Sequence, residues 1–425
     1  METRGLSFII IGASGDLARR KIIPALFSLY CQNFLPSDFK IVGFARSDYN
    51  NESFRNLIKQ NLTCRYVPPF QCSERIENFL DRCFYFRGGY SSVDDMLNFY
   101  QFLRNIESGT SNRVFYMAVP PEIFQNLAFS LANTGIIPCD IYQPWNRVVI
   151  EKPFGMDRQS SDQLTRNIAK VFSEEQIYRI DHYLGKEMIQ NLLVLRFANI
   201  IFQPLWSNQY VERIHIAWEE NLPVGRRGGY FDRTGIIRDV IQNHIAQIIA
   251  LTTMEPPSDL SAVSIGKEKI KLLKSILPVP LEDCIIGQYG RGVVDGQRMP
   301  AYREEPLVDP ASRTATFAAM VLKINNNRWE GVPLIISAGK GFSSNKTEIK
   351  IIFKRIDDNI FCENKVCPAP NELVVRVQPD EAIYFKVTNK IPGLSMQLGD
   401  ALVDLKYREA YTNVIPDAYE RLLLD

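Results

Sequence analysis

The spacing of apolar residues along this chain falls into two regimes, and the expected elements follow from them. Leu6 to Ile11 is an apolar run broken only by Ser7, the pattern of a strand buried on both faces. It enters Gly12-Ala13-Ser14-Gly15-Asp16-Leu17, after which Ile22, Ala25, Leu26 and Leu29 recur at helical spacing. Further mostly apolar runs at Phe39 to Phe44, Arg113 to Ala118 and Arg147 to Ile150 alternate with helical stretches, which predicts a parallel sheet with crossover helices. The pattern changes after residues 170 to 178. Gly185 to Asn199 reads as a helix with Ile189, Leu192, Leu193 and Phe197 on one face, and Gly235 to Leu251 as a second long one. Arg213 to Trp218 alternates like a strand, with Ile214, Ile216 and Trp218 on one side and His215, an ordinary surface or cross-strand histidine, on the other. Thr314 to Ile324, Thr347 to Phe353, Leu373 to Gln378 and Ala382 to Val387 also read as strands, so the last third is strand-rich.

At 425 residues the chain exceeds one typical core, and two domains are expected, 1–175 and 176–425. Lys and Arg total 49 against 48 for Asp and Glu, a formal net charge of +1, so no whole-chain field calls for nucleic acid or an anionic membrane. With 46% hydrophobic residues and no apolar run long enough to cross a bilayer, a soluble, folded protein is expected. Met1 to Ser7 lacks a signal-peptide pattern, so no targeting segment is expected in this chain. The eight cysteines form no C-x-x-C pair, which argues against a zinc ribbon or a secreted disulfide scaffold; free thiols are the default and no metal site is expected. Cys64 and Cys72 stand apart from the rest, close in sequence with Pro68 and Pro69 between them, in a loop that permits a disulfide without requiring one.

Candidate chemistry sits on this framework at three places. The strand, glycine turn and helix from Leu6 onward make the first unit of a dinucleotide-binding fold, with Gly12 and Gly15 in a G-x-x-G frame in place of the usual G-x-G-x-x-G. Arg46 follows the second strand, where an arginine pairs with a ribose 2′-phosphate and an acid would accept from a free 2′-hydroxyl, so NADP is favoured over NAD. Tyr116 and Lys152 lie near strand ends where such sheets bind ligands, and Lys152 is aimed by Pro153, whose preceding bond is a candidate cis peptide. The second place is Arg179-Ile-Asp-His-Tyr-Leu-Gly-Lys-Glu187, where His182, Tyr183 and Lys186 can donate to a phosphate and Asp181 can hold an imidazole. The third is His244, on the apolar stripe of Ile237, Val240, Ile241, Ile248 and Leu251. A histidine there is commonly a satisfied core residue, but the chain has only three, and Asp181 can orient this one as a proton acceptor. Asp239, five residues earlier and about 140 degrees away round an α-helix, is expected to meet the ligand instead.

The order of residues from Arg179 to Glu187 resembles the signature of glucose-6-phosphate dehydrogenases, and the resemblance extends to Gly12–Lys21, Phe44–Ser47, Glu151–Gly155, Arg227–His244, Asn371–Pro379 and Pro416–Asp425. It implies an N-terminal Rossmann-like domain, then an α+β domain with a large, mostly antiparallel sheet whose outer face serves a homodimer or homotetramer. It implies NADP contacts at Gly12, Ala13, Ser14, Gly15, Asp16, Leu17, Ala18, Arg19, Arg46, Tyr116 and Lys152. The implied ligands of glucose 6-phosphate are Lys152, His182, Tyr183, Lys186, Glu220, Asp239, Lys340 and Gln378, with His244 as proton acceptor. Cys64 and Cys72 look like the redox pair of plant plastid members, which implies a thioredoxin partner and the plastid stroma, with the cytoplasm as the alternative. Asn345 departs from members with a basic substrate contact there, and the family pattern implies further residues beyond Asp425. The expected activity is oxidation of glucose 6-phosphate at C1 with hydride transfer to NADP+. A noncatalytic member acting as a regulatory or targeting subunit is the alternative.

Overall fold

Ile9, Ile10 and Ile11 have no exposed surface, because the strand that carries them, β1 (Leu6–Ile11), lies between parallel neighbours and under helices on both faces. The computed structural model describes residues 5–107, 109, 111–137, 144–294, 296–362 and 367–425. They divide into two compact units, Met1–Gly185 with Val414–Asp425, and Lys186–Asn413. In the first unit, β2 (Phe39–Ala45), β3 (Cys83–Arg87), β4 (Asn112–Met117), β5 (Asn146–Glu151) and β6 (Ile177–Ile180) join β1 in one parallel sheet, ordered β3-β2-β1-β4-β5-β6. Side chains alternate across it with period two. Phe8 and Ile10 pack with the helices Ile23–Cys31, Asn51–Lys59 and Pro69–Leu80, while Ile9 and Ile11 pack with Val93–Ile106 and Pro121–Asn133. Each fully buried isoleucine contributes roughly 1.5–3 kcal/mol, so the centre of this sheet is its most firmly held part. Strand order reverses between β1 and β4, and ligands of such sheets bind beyond the strand ends at that point.

The second unit is built on an eight-stranded sheet. Its strands are β7 (Val211–Glu220), β8 (Cys284–Gly287), β11 (Phe317–Leu322), β12 (Leu334–Lys340), β13 (Lys346–Phe353), β14 (Glu372–Gln378), β15 (Ala382–Lys390) and β16 (Leu398–Lys406), while β9 (Gly292–Val294) and β10 (Gln297–Met299) form a separate hairpin. The order is β16-β15-β14-β13-β7-β12-β11-β8, antiparallel except for β7 with β12. As expected from their alternation, Ile214, Ile216 and Trp218 are buried, and His215 on the opposite face meets Ser337 Oγ on β12 across 3.2 Å. Helix Glu187–Phe197 packs on β14 and against helix Ala246–Thr253. The latter continues from Ile237–Ile245, a wide helix with i→i+5 bonding, which begins just after Gly235 breaks helical geometry at φ 63° and ψ 172°. Positions five apart are there about one turn apart, so the angular offset expected between Asp239 and His244 from α-helical geometry does not apply. Among the described residues, no helix is long and apolar enough to cross a membrane.

Candidate active site

In the first unit, β1 ends at Ile11 and the chain turns at Gly12, with φ +89°. A Cβ at that position would lie 2.3 Å from the Ala118 carbonyl oxygen, so the backbone itself must form the surface there. Gly15 N donates to Gly12 O at 2.9 Å, and Asp16, Leu17, Ala18 and Arg19 carry the chain into a helix whose first part, Ala18–Ile22, is again the wide form. Ser14 and Ser47 share a hydroxyl hydrogen bond of 2.9 Å, which ties the turn to the end of β2. Arg46 directly follows β2, exposed, its guanidinium 5.7 Å from the centre of the Tyr90 ring and in no ion pair among the described residues. A Cβ-free turn at the strand-order reversal and an unpaired cation one strand away fit a dinucleotide that bears a 2′-phosphate.

Tyr116 is fully buried on β4 and donates to Glu151 Oε1 at 2.7 Å. Tyr419, from the helix Ala418–Leu424, donates to the same oxygen at 3.0 Å. Burial lifts the Glu151 carboxyl above its ordinary value, opposed by the two phenol donors and by the charge of Lys152. Lys152 follows β5 and precedes Pro153 through a cis bond. Next to this network, Asp181 Oδ1 accepts from Tyr183 N at 3.0 Å, and the His182 ring lies parallel to that of Tyr419, 6.1 Å between centroids and 6° between planes.

In the second unit, Lys186 Nζ donates to Gln378 Oε1 at 2.9 Å, joining two predicted ligands 192 positions apart. Parallel pairing of β7 with β12 sets Lys340 opposite Glu220, and the two form an ion pair. Trp218 Nε1 also donates to Glu220, at 3.2 Å, and the Trp218 indole lies flat on the His244 ring, 5.3 Å between centroids and 8° between planes. His244 is 3% exposed and Asp239 5%. Asn345 Oδ1 accepts from Asn221 N at 2.9 Å, so this side chain closes a loop beside Glu220. His244, Trp218, Glu220 and Lys340 thus make one contiguous cluster, and Lys186 with Gln378 makes another.

Sequence reasoning gave no role to Tyr419, Trp218 or the Glu151 carboxylate, although each lies in or beside a segment it singled out. Cys64 and Cys72 form a disulfide with 5.7 Å between Cα atoms. The default of free thiols fails for another pair, Cys362 and Cys367, which are also bonded; a spacing of five residues gave no signal for it. Among the described residues Cys31, Cys83 and Cys284 are free, while Cys139 lies outside them.

Fold and chemistry together define a class, the nicotinamide-dinucleotide-dependent oxidoreductases. The chain matches the models for the glucose-6-phosphate dehydrogenase NAD binding domain over residues 9–191 and C-terminal domain over residues 193–425. It is 45% identical over 424 residues to glucose-6-phosphate 1-dehydrogenase 1, chloroplastic, of Arabidopsis thaliana, covering 99% of this chain and 73% of that one. With the cytoplasmic glucose-6-phosphate 1-dehydrogenase 5 of the same plant it is 43% identical over 433 residues, covering 100% and 81%. A solved glucose-6-phosphate dehydrogenase in complex with glucose 6-phosphate superposes with a TM-score of 0.90 at 39% identity, covering 100% of this chain and 87% of that one. The chain belongs to the glucose-6-phosphate dehydrogenase family.

Proposed function

We propose that this chain oxidises D-glucose 6-phosphate at C1 to 6-phosphoglucono-1,5-lactone with NADP+, the entry to the oxidative pentose phosphate route. The observation that carries the reading is His244, a buried imidazole held flat on Trp218 and continuous with the Glu220–Lys340 pair. His244 takes the proton of the C1 hydroxyl, and Asp181 fixes its tautomer and stabilises the imidazolium that forms. Lys152, His182, Tyr183 and Lys186 bind and neutralise the phosphate end, while Glu220, Asp239, Lys340 and Gln378 fix the sugar. The residues Gly12 to Arg19, with Arg46, Tyr116 and Lys152, would hold NADP+, which when bound supplies the acceptor for the hydride leaving C1. The test is NADPH formation followed by absorbance with glucose 6-phosphate, wild type beside His244→Ala; equal rates would overturn the assignment.

In this reading the Cys64–Cys72 disulfide is a thiol switch opened by a thioredoxin in the plastid stroma. The bond itself and the 45% identity to a chloroplastic relative support this. Reductant is expected to change the activity, and Cys64→Ser to abolish the response. The exposed Ile285 and Ile286 on β8 and Leu402 and Val403 on β16 support association of copies through the sheet into a homodimer or homotetramer. Light scattering that returns a monomer mass would remove that part.

A further inference from the structure

Two residues inside the disulfide loop reach a single buried carboxylate. Tyr66 Oη donates to Glu420 Oε2 at 2.6 Å, and Arg65 Nη2 pairs with Glu420 Oε1. The Glu420 side chain is 4% exposed. Arg65 and Tyr66 lie between Cys64 and Cys72, and Cys72 stands in the first turn of helix Pro69–Leu80.

Glu420 belongs to the short helix Ala418–Leu424, and its neighbours on that helix each meet a part of the site. Tyr419 donates to Glu151 and stacks on His182. Ala418 passes so close to Gly185 that a Cβ there would come within 2.2 Å of the Ala418 carbonyl oxygen. Asp417, the helix cap, accepts from Lys21 Nζ at 3.1 Å, on the helix that follows the glycine turn. A shift at Glu420 is therefore felt within one helical turn at His182, at the backbone of the 181–185 segment and at the cofactor helix.

We propose that Glu420 is the relay by which the state of the Cys64–Cys72 pair sets the position of Tyr419, and through it of His182. The proposal rests on the reading of that pair as a thiol switch and of His182 as a phosphate ligand. With the disulfide closed, the loop holds Arg65 and Tyr66 on the carboxylate. Thiol–disulfide exchange with a dithiol breaks the S–S bond; two electrons and two protons pass from the reductant, which leaves as its own disulfide, and Cys64 and Cys72 become thiols. The freed loop then samples arrangements in which Arg65 no longer faces Glu420. A carboxylate buried this deeply is not stable without its cation and phenol, so the helix end must move toward water. Tyr419 moves with it, because the two residues are adjacent on one short helix. Glu420 and Tyr419 are positioning residues in this scheme: the expected signature is a change in KM for glucose 6-phosphate, with kcat far less affected.

The test uses the full chain, oxidised or reduced with dithiothreitol, with thiol titration to confirm each state. Reduction of the wild type is expected to raise KM about tenfold, the equivalent of one charge-assisted hydrogen bond. Glu420→Gln is expected to show the high KM in both states although its disulfide still forms, and Tyr66→Phe an intermediate value when oxidised. A wild type indifferent to reduction overturns the switch and the relay together. A wild type that responds, beside a Glu420→Gln that responds equally, overturns the relay and leaves the switch standing. Should Glu420→Gln fail to fold, the wild type alone decides by proton NMR. The chain has three histidines, and reduction must shift the ring resonance of His182 as the Tyr419 ring leaves it; an unmoved His182 resonance overturns the relay.

Discussion

Two partly buried acids, one in each unit, are held in opposite ways. In the first, Glu151 is met by two neutral phenols, Tyr116 and Tyr419, and burial raises its carboxyl. In the second, Glu220 is met by a full cation, Lys340, and by the indole of Trp218. Phenols satisfy an acid's hydrogen bonds without cancelling its charge, so Glu151 suits a fixed structural post. An ion pair keeps both charges available to be shared with an arriving polar ligand, which suits Glu220 and Lys340 to binding. The first acid is wired for position and the second for exchange.

The hardest blow to this contrast falls on the second unit. His244→Ala is expected to lower kcat by roughly 10²- to 10⁴-fold while KM for glucose 6-phosphate changes little, as measured by steady-state NADPH formation. Next come two carboxylates, Asp181, proposed to orient His244, and Asp239, proposed to hold the sugar. Asp181→Asn is expected to lower kcat about 100-fold, and Asp239→Asn to act mainly on KM. Because Ile237–Ile245 is the wide form, with Asp239 about one turn from His244, the reverse split would transfer the orienting role to Asp239. Lys340→Met tests the exchange side of the comparison: KM should rise about tenfold with kcat nearly constant, since the proposed ligand contact and the partner of Glu220 are lost together. The smallest effect belongs to Glu151. Its folded value lies above the ordinary 4.5, so the folded state binds more protons than the unfolded one in the window that begins there, and stability falls as pH rises through it. Melting temperatures of the wild type should therefore decline upward from that pH more steeply than those of Glu151→Gln; parallel curves would erase the difference between the two acids.

Much of the first unit was legible because its signals are local. The apolar run before Gly12 and the helical spacing after it report burial within a few residues, and β1 with its turn is where they were placed. That Arg46 and Lys152 each directly follow a strand was legible as well, since a linear pattern carries strand ends. The 181–186 segment stands out in the sequence, since so many charges in so few residues have few structural uses. Tyr419 and Glu420 were illegible for the converse reason. Their partners Glu151 and Arg65 lie 268 and 355 positions away, and no period in the sequence records such a meeting. The wide helix at Ile237–Ile245 escaped because its apolar stripe fits a 3.6-residue period well enough to hide one extra residue per turn.

The parallel stacking of Trp218 on His244 gives the chain a built-in optical indicator. Indole emission dims beside a cationic ring, and this indole stacks on the imidazole proposed to take the substrate's proton. With only four tryptophans in the chain, the fluorescence lost when Trp218 is replaced by phenylalanine isolates its share, and that share reports the charge on the base in the resting protein, before any substrate is added.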